Sequence, residues 1–337
     1  MTKKGKGNMI EVNHLTKKYG DRFALNDLTF TVEDGKIYGL LGPNGAGKTT
    51  CMNIMTGYIA ATEGQVKING FDIVKDAEEA KKHIGYLPEI PPLYPDMKVR
   101  EYLEFAAELK RVKKEERRQQ IDDVMEKTFI SDMQNKLIKN LSKGYKQRVG
   151  LAQAMLGNPS VIILDEPTVG LDPKQILEIR ELILNLKKEH TVILSSHILS
   201  EVSAVCDEIM IISKGKVVAC DTPDGLSHLM QGEDNLELVI KGSESTVRQI
   251  LLEIEGIRSY ETKANQNKGL VECSILVKKG CDIRETLFYK MAEEKSPIYK
   301  MDLNTKSLED IFLELTSGDT TDNDIDKVNQ NESREEE

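Results

Sequence analysis

The 337-residue sequence predicts an α/β protein with a mixed, mostly parallel sheet, followed by a small α+β domain. Three observations carry this expectation. "PSVIILDEP" and "TVILSSH" are short, continuous apolar runs, as in strands covered on both faces. Between them, "PKQILEIRELILNLKKEH" repeats apolar residues at helical spacing, with Ile176, Ile179, Ile183 and Leu186 on one face. After "TPDGLSHLMQGEDN" the composition changes and a new alternation of elements begins.

Taken in order, "MIEVNHLTKKYG" and "FALNDLTFTVEDGKIYGLLG" alternate and carry turn signals, as strands do. Residues 48–57 read as a helix. "QVKINGFDI" reads as a hairpin through Asn69-Gly70. Residues 98–128 read as one charged amphipathic helix with Val99, Tyr102, Ala106 and Leu109 on its apolar side. Its basic cluster, "KRVKKEERR", is interleaved with acids and has no aromatics, which favours a solvated face over a nucleic-acid contact. From Leu236 the order is strand (236–241), helix (245–254), strand (257–263), strand (270–277), helix (282–294) and strand (298–303). That βαββαβ order is ferredoxin-like. A short helix, "SLEDIFLEL", is expected next. The expected organisation is a flexible tail at 1–8, a first domain at 9–225, a linker at 226–234, the ferredoxin-like domain at 235–316 and a disordered tail at 317–337.

The totals exclude several classes. The formal charge is −10, and the last 21 residues hold eight acids against two bases. A net acidic chain is not expected to bind nucleic acid by bulk charge. There is no run of 18 apolar residues, so no membrane span is expected. The start, "MTKKGKGN", is basic and polar without an apolar stretch after it, so a cytosolic chain is expected. Five cysteines, an odd number with no CxxC, argue against a disulfide framework and a zinc site.

The chemistry concentrates in "YGLLGPNGAGKTT", Tyr38 to Thr50. A phosphate chain has many oxygens and no carbon handle, so tight binding calls for several converging N–H donors. Gly42, Gly45 and Gly47 let the backbone of Gly42, Pro43, Asn44, Gly45, Ala46 and Gly47 curl into a nest. The helix starting near Lys48 adds free N–H groups, through Lys48, Thr49 and Thr50, and the positive end of its dipole. Lys48 supplies a full charge to β- and γ-phosphates, and the Thr49 hydroxyl suits Mg²⁺. In "VIILDEP", Asp165 ends a buried strand and can hold Mg²⁺ through its water shell. Glu166 follows, points elsewhere, and can orient or deprotonate an attacking water. His197 ends the next strand; on its own it reads as a satisfied structural histidine, and beside a γ-phosphate it is a sensible polar contact that links hydrolysis to motion.

These residues, with "GYLPE" (Gly85–Glu89), "LSKGYKQR" (Leu141–Arg148) and "GLDP" (Gly170–Pro173), make the chain resemble the ATP-binding subunits of ABC transporters over roughly residues 9–225. The resemblance implies a P-loop NTPase cassette, a mixed sheet with a helical subdomain at about 90–158, bearing the ferredoxin-like accessory domain. It implies ATP and Mg²⁺ as cofactors, and a head-to-tail pair of chains around two ATP molecules. Ser142 would cap a helix beginning near Tyr145, and Ser142, Gly144 and Tyr145 would face the γ-phosphate held by the second chain. Asp172 would sit at the seam and sense the opposite site. Tyr19 would stack on adenine, although from the sequence alone ordinary packing serves equally well.

Two departures stand out. Glu89 occupies the place where the family usually has a glutamine that contacts Mg²⁺ and water; a carboxylate accepts but does not donate. "LSKGY" replaces the commoner "LSGGQ", with Lys143 and Tyr145 at the altered places. Both variants are similar to those of bacterial ABC-2-type exporters of the drug, bacteriocin and gliding-associated kinds. The resemblance therefore implies a motor ATPase on the inner face of the cell membrane, attached to a separate transmembrane permease. "IPPLYPDMKVREYL" would receive a cytoplasmic helix of that permease, with Pro91, Pro92 and Pro95 stiffening it and Leu93 and Tyr94 docking; a rigid surface loop is the plainer reading. An importer ATPase with a regulatory C-terminal domain is the nearest alternative, and a soluble ABC ATPase acting on ribosomes or DNA is a further one. The C-terminal domain could support a dimer, regulate, or only pack.

Overall fold

A computed structural model of the chain describes residues 8–229, 235–265, 269–278 and 281–304. It divides into two compact units, one reaching to Pro223 and the other starting at Asp224. In the first unit, β1 (Asn8–Tyr19) and β2 (Arg22–Glu33) pair antiparallel. Next come β3 (Ile37–Leu41) and α1 (Lys48–Met55). The short strands β4 (Glu63–Ile68) and β5 (Phe71–Asp72) extend the first sheet in the order β2-β1-β4-β5. Their turn has Asn69 at φ 49° and Gly70 at φ 84°, the doubly left-handed pair that the Asn-Gly dipeptide predicts.

The main sheet begins with β3 and continues, after α2 (Ala77–Lys82), with β6 (Ile84–Leu87). Then come the helices α3 (Val99–Leu109), α4 (Lys114–Lys127) and α5 (Lys143–Met155). The chain returns as β7 (Val161–Leu164), α6 (Pro173–Leu186), β8 (Thr191–Ser196), α7 (Leu199–Ser203), β9 (Glu208–Ser213) and β10 (Lys216–Asp221). The sheet order is β10-β9-β3-β8-β7-β6. Its ladders are parallel except for β10 on β9, so the mixed, mostly parallel sheet is present as the sequence predicts. Strands β3, β7 and β8 are buried at every position, which is why they carry runs of aliphatic residues instead of alternation. Helix α1 lies in the core shared by the two sheets, burying Cys51, Met52, Ile54 and Met55 among Val12, Leu25, Ile163 and Met210.

Packing against β3 is close. A Cβ on Gly39 would lie 2.0 Å from Val202 Cγ1 and 2.9 Å from Cys206 Sγ. Gly39 therefore lets α7 settle directly on the strand that delivers the glycine-rich loop.

The single helix expected over 98–128 is two helices, α3 and α4, broken at 110–113. Arg111 makes the break in the left-handed conformation, φ 58°. Lys110 leaves the helix to donate from Nζ to Ala154 O (2.9 Å) and Leu156 O (3.0 Å), satisfying carbonyls at the end of α5. Burial brings its ammonium down to about 8. On α6, Ile179, Ile183 and Leu186 are buried as expected, joined by Leu182, while Ile176 is half-buried.

Helix α8 (Pro223–Leu229) precedes the second sheet and occupies part of the stretch expected to be linker. The second unit then contains β11 (Asn235–Lys241), α9 (Glu244–Leu252), β12 (Ile257–Asn265), β13 (Leu270–Val277), α10 (Arg284–Glu293) and β14 (Ile298–Asn304). The antiparallel order β12-β13-β11-β14 is the ferredoxin-like arrangement. Leu236, Leu238 and Ile240 of β11 and Val271, Cys273 and Ile275 of β13 share one buried side with Val247, Leu251, Leu287 and Met291 of the helices. The helix expected at "SLEDIFLEL" and the expected tails at 1–7 and 317–337 lie outside the described residues.

Candidate active site

At the C-terminal edge of β3, β7 and β8 a cleft of about 310 Å³ opens. It is lined by Asn44, Gly45, Gly47, Lys48, Thr49 and Thr50 of the glycine-rich loop, by Glu89, Glu166 and His197, and by Ala24 and Val169. Parallel strands place their ends together on this edge, where loops from different strands can converge.

The loop's shape follows from its glycines. Gly45 and Gly47 take φ 81° and 109°, which a Cβ would oppose. Behind the loop, a Cβ on Gly42 would meet Ile212 O at 2.4 Å, and one on Gly47 would meet Ala24 O at 2.5 Å. Pro43 O accepts from Ala46 N (3.2 Å), tightening the turn. Gly47 begins α1 without a side-chain cap, so the first-turn N–H groups of Lys48, Thr49 and Thr50 keep their donors available at the cleft.

Lys48 is buried, with its ammonium donating to Gly42 O (2.8 Å) and Pro43 O (3.3 Å) and lying 3.4 Å from Glu166 Oε1. Asp165 and Glu166 are consecutive and take different partners, as successive side chains at a strand end do, and Glu166 has a left-handed φ of 48°. Asp165 Oδ1 accepts from Ser195 Oγ (2.6 Å) and lies 3.4 Å from Thr49 Oγ1. Burial raises the Asp165 carboxyl above its ordinary range, opposed by the Ser195 and Thr49 hydrogen bonds. Glu166 Oε2 and His197 Nδ1 lie 2.9 Å apart, and since an ionised carboxylate only accepts, Nδ1 is the donor of this contact.

Ser195, absent from the sequence expectation, joins the two acids. Its Oγ donates to Asp165 and accepts from Glu166 N at 2.9 Å, and its side chain is fully buried. The signal was a hydroxyl two places before His197 in an otherwise aliphatic run. Ala24 and Val169 had no comparable signal, since only the fold brings them to the cleft.

The remaining expected residues lie apart from the cleft lining. Ser142 Oγ accepts from Tyr145 N (3.3 Å), so Ser142 is the N-cap of α5 and the helix starts at Lys143, two residues before the expected start. The capping serine bonds the third N–H of its helix, so Tyr145 is the third helical residue and not the first. Asp172 caps α6 in the same way, accepting from Gln175 N at 2.9 Å. The two helix starts touch: a Cβ on Gly144 would meet Gln175 Oε1 at 2.6 Å, and one on Gly170 would meet Lys143 Nζ. Ser142, Gly144, Tyr145 and Asp172 thus form one patch outside the cleft lining. Tyr19 ends β1, 55% exposed, with the Lys17 ammonium 5.2 Å from its ring centroid.

A hydroxyl, a buried carboxylate and the neighbouring Glu89 make an all-oxygen donor set, which fits a hard divalent cation that keeps several waters. Among the described residues no cluster of three or more His, Cys, Asp or Glu could hold a metal by itself, and no helix is long and apolar enough to cross a membrane.

Comparison with known proteins gives a consistent picture. Residues 25–169 match the model of the ABC transporter family. An uncharacterized ABC transporter ATP-binding protein of Bacillus subtilis, YhcH, is 36% identical over 91% of this chain and 96% of its own length. The bacitracin transport ATP-binding protein BcrA of Bacillus licheniformis is 34% identical over 93% of this chain and 98% of its own. Among solved structures, a dimeric ATP-binding cassette in a post-hydrolysis state, bound to ADP and Pi, superposes with a TM-score of 0.58 at 27% identity, covering 64% of this chain and 98% of that one.

Proposed function

The chain belongs to the ABC transporter family of ATP-binding proteins and is an ATPase subunit of it, and from that premise we propose that it is the motor of an ABC-2-type exporter. In this reading two copies close around two ATP molecules and drive a separate permease at the membrane. The observation that carries the reading is the convergence of Lys48, Glu166 and His197 on the cleft beside the glycine-rich loop, with Asp165 buried behind Thr49 of its lining.

The residues divide the work. The loop amides and the start of α1 hold the phosphates, and Lys48, now spent on loop carbonyls, transfers its ammonium to them. Thr49, Asp165 and Glu89 would hold Mg²⁺, which would supply charge neutralisation on the phosphate oxygens. Glu166 orients the attacking water and accepts its proton. His197 holds the Glu166 carboxylate through Nδ1 and faces the same cleft. In the patch of Ser142, Gly144, Tyr145 and Asp172, set apart from the chain's own cleft, the start of α5 suits a second copy's phosphate: its cap is a neutral serine and its first turn holds no acid, while the acidic cap Asp172 marks the neighbouring start of α6.

Support for the exporter assignment comes from similarity to the bacitracin transport protein, which spans the C-terminal unit as well as the cassette. Support for a permease contact comes from the segment after Glu89. There Ile90 is 82% exposed, and Tyr94 packs against Tyr102 and edge-on to Phe105 while still half in solvent. The test is a pull-down of tagged Glu166→Gln protein from detergent-solubilised native membranes with ATP and Mg²⁺. Recovery of a polytopic membrane protein lacking its own cassette supports the reading. Recovery of only ribosomes, DNA or soluble proteins refutes it.

A further inference from the structure

Besides Asp165 and Glu166, a third buried carboxylate lies next to the site's loops. Glu201, in α7, is 7% exposed and sits among polar groups from two different loops. Its Oε2 accepts from Thr168 Oγ1 at 2.5 Å and from Ser196 Oγ at 3.1 Å. Both donors are buried too, at 5% and 1% exposure. Ser196 Oγ in turn accepts from Ile198 N at 3.0 Å, so the backbone on both sides of His197 is pinned. Thr168 lies two residues past Glu166 in a tight turn, where Val169 N donates to Glu166 O and Leu171 N donates to Thr168 O. That turn leads directly into Asp172, the cap of α6.

Burying a carboxylate is unfavourable unless hydrogen bonds replace the lost water. An apolar side chain would cover the same space without that penalty, so the acid's contribution is the connection it makes. We propose that Glu201 is a positioning residue that ties the Glu166 loop to the His197 loop and so sets the 2.9 Å contact between Glu166 Oε2 and His197 Nδ1. This rests on the ATPase reading above. Glu201 touches no reacting atom in that reading. It acts through Thr168 on one side and Ser196 on the other, and Asp172 shares the first arm.

The geometry separates this role from a general contribution to folding. Releasing the Thr168 arm lets the two loops drift, and the contact between Glu166 and His197 lengthens. The phosphate loop packs closely on Ile212 O and Ala24 O, and the hydrogen bonds of Glu201 go to Thr168 and Ser196 and not to that loop. Turnover should therefore fall while nucleotide affinity stays.

The experiment uses the full chain, measuring steady-state phosphate release, titration with a fluorescent ATP analogue, and thermal melting. Thr168→Val keeps the shape and removes the donor. It should lower kcat at least tenfold with the analogue's Kd within twofold of wild type. Thr168→Ser restores the donor and should recover kcat. In a His197→Ala background, Thr168→Val should add less than twofold, because the contact it protects is already gone. Should Thr168→Val prove unstable, Ser196→Ala breaks the other arm and must give the same pattern. An unchanged kcat, a Kd that weakens in step with kcat, or an undiminished effect in the His197→Ala background overturns the proposal. A wild-type chain without phosphate release sensitive to Glu166→Gln overturns the ATPase reading and this inference together, whereas normal wild-type release with an inert Thr168→Val overturns this inference alone.

Discussion

Replacing Gly39 by alanine tests how tightly α7 is seated on β3. The new methyl would lie 2.0 Å from Val202 Cγ1 and 2.9 Å from Cys206 Sγ. Carbon atoms rest about 3.5–4.0 Å apart, so the helix must retreat by roughly 1.5 Å or more. Neither neighbour is the loose end of a long side chain. Overpacking costs about 1–3 kcal/mol in general, and a shift of this size belongs at the upper end. For a domain of this size about 3 kcal/mol corresponds to a melting point roughly 6–12 °C lower. Val202→Ala alone removes two buried carbons and should cost roughly 2 kcal/mol. Combined, the alanine methyl at 39 occupies the space that Val202 vacates. The double variant should then be at least as stable as Gly39→Ala alone, with a coupling of about 1 kcal/mol or more. Calorimetry or urea unfolding of the four proteins decides. Simple addition of the two losses would refute the claim that α7 is the obstacle.

Other expectations follow from the site and the core. Glu166→Gln keeps an acceptor for His197 Nδ1 but loses the base, so phosphate release should fall about 10²–10⁴-fold while nucleotide binding persists; turnover within threefold of wild type would remove Glu166 from its role. Thr49→Ala should raise the Mg²⁺ concentration needed for half-maximal turnover by roughly tenfold, the loss of one hydroxyl ligand, about 1.4 kcal/mol; an unchanged Mg²⁺ requirement would exclude the hydroxyl as a ligand. Burial pushes the Cys51 thiol in α1 from 9.0 up to about 12. Between those values the unfolded chain loses the proton and the folded chain keeps it, so the folded state binds more protons and stability falls as pH rises. Cys51→Ala should flatten that fall by about 1.4 kcal/mol per pH unit above pH 9 in denaturant titrations, and an unaltered slope would contradict the burial argument.

What could be read from the sequence was what chemistry or periodicity forces into a local pattern. Phosphate binding needs Gly42, Gly45, Gly47, Lys48 and Thr49 at fixed spacing, and the loop has the shape that spacing implies. The two-faced burial of β7 and β8 wrote itself as aliphatic runs. The break at 110–113 did not show, because Arg111, not glycine or proline, takes the left-handed turn, and apolar residues continue through Val112 and Ile121. Ser195 looked like any small strand residue until β7 and β8 were set side by side. Ala24 reaches the cleft only because β2 passes behind Gly47, an approach with no local trace.

The left-handed backbone of Glu166 has a consequence for how this chain can be improved. A glutamate held at φ 48° stores strain, of order 1 kcal/mol, that a glycine would not. At the same turn Asp165 lies against Thr49 and Glu166 against His197. A search for sturdier variants would therefore be drawn toward glycine at position 166, and, on the role proposed for Glu166, toward proteins that melt later and turn over no ATP. On that proposal, durability and work pull in opposite directions at this residue.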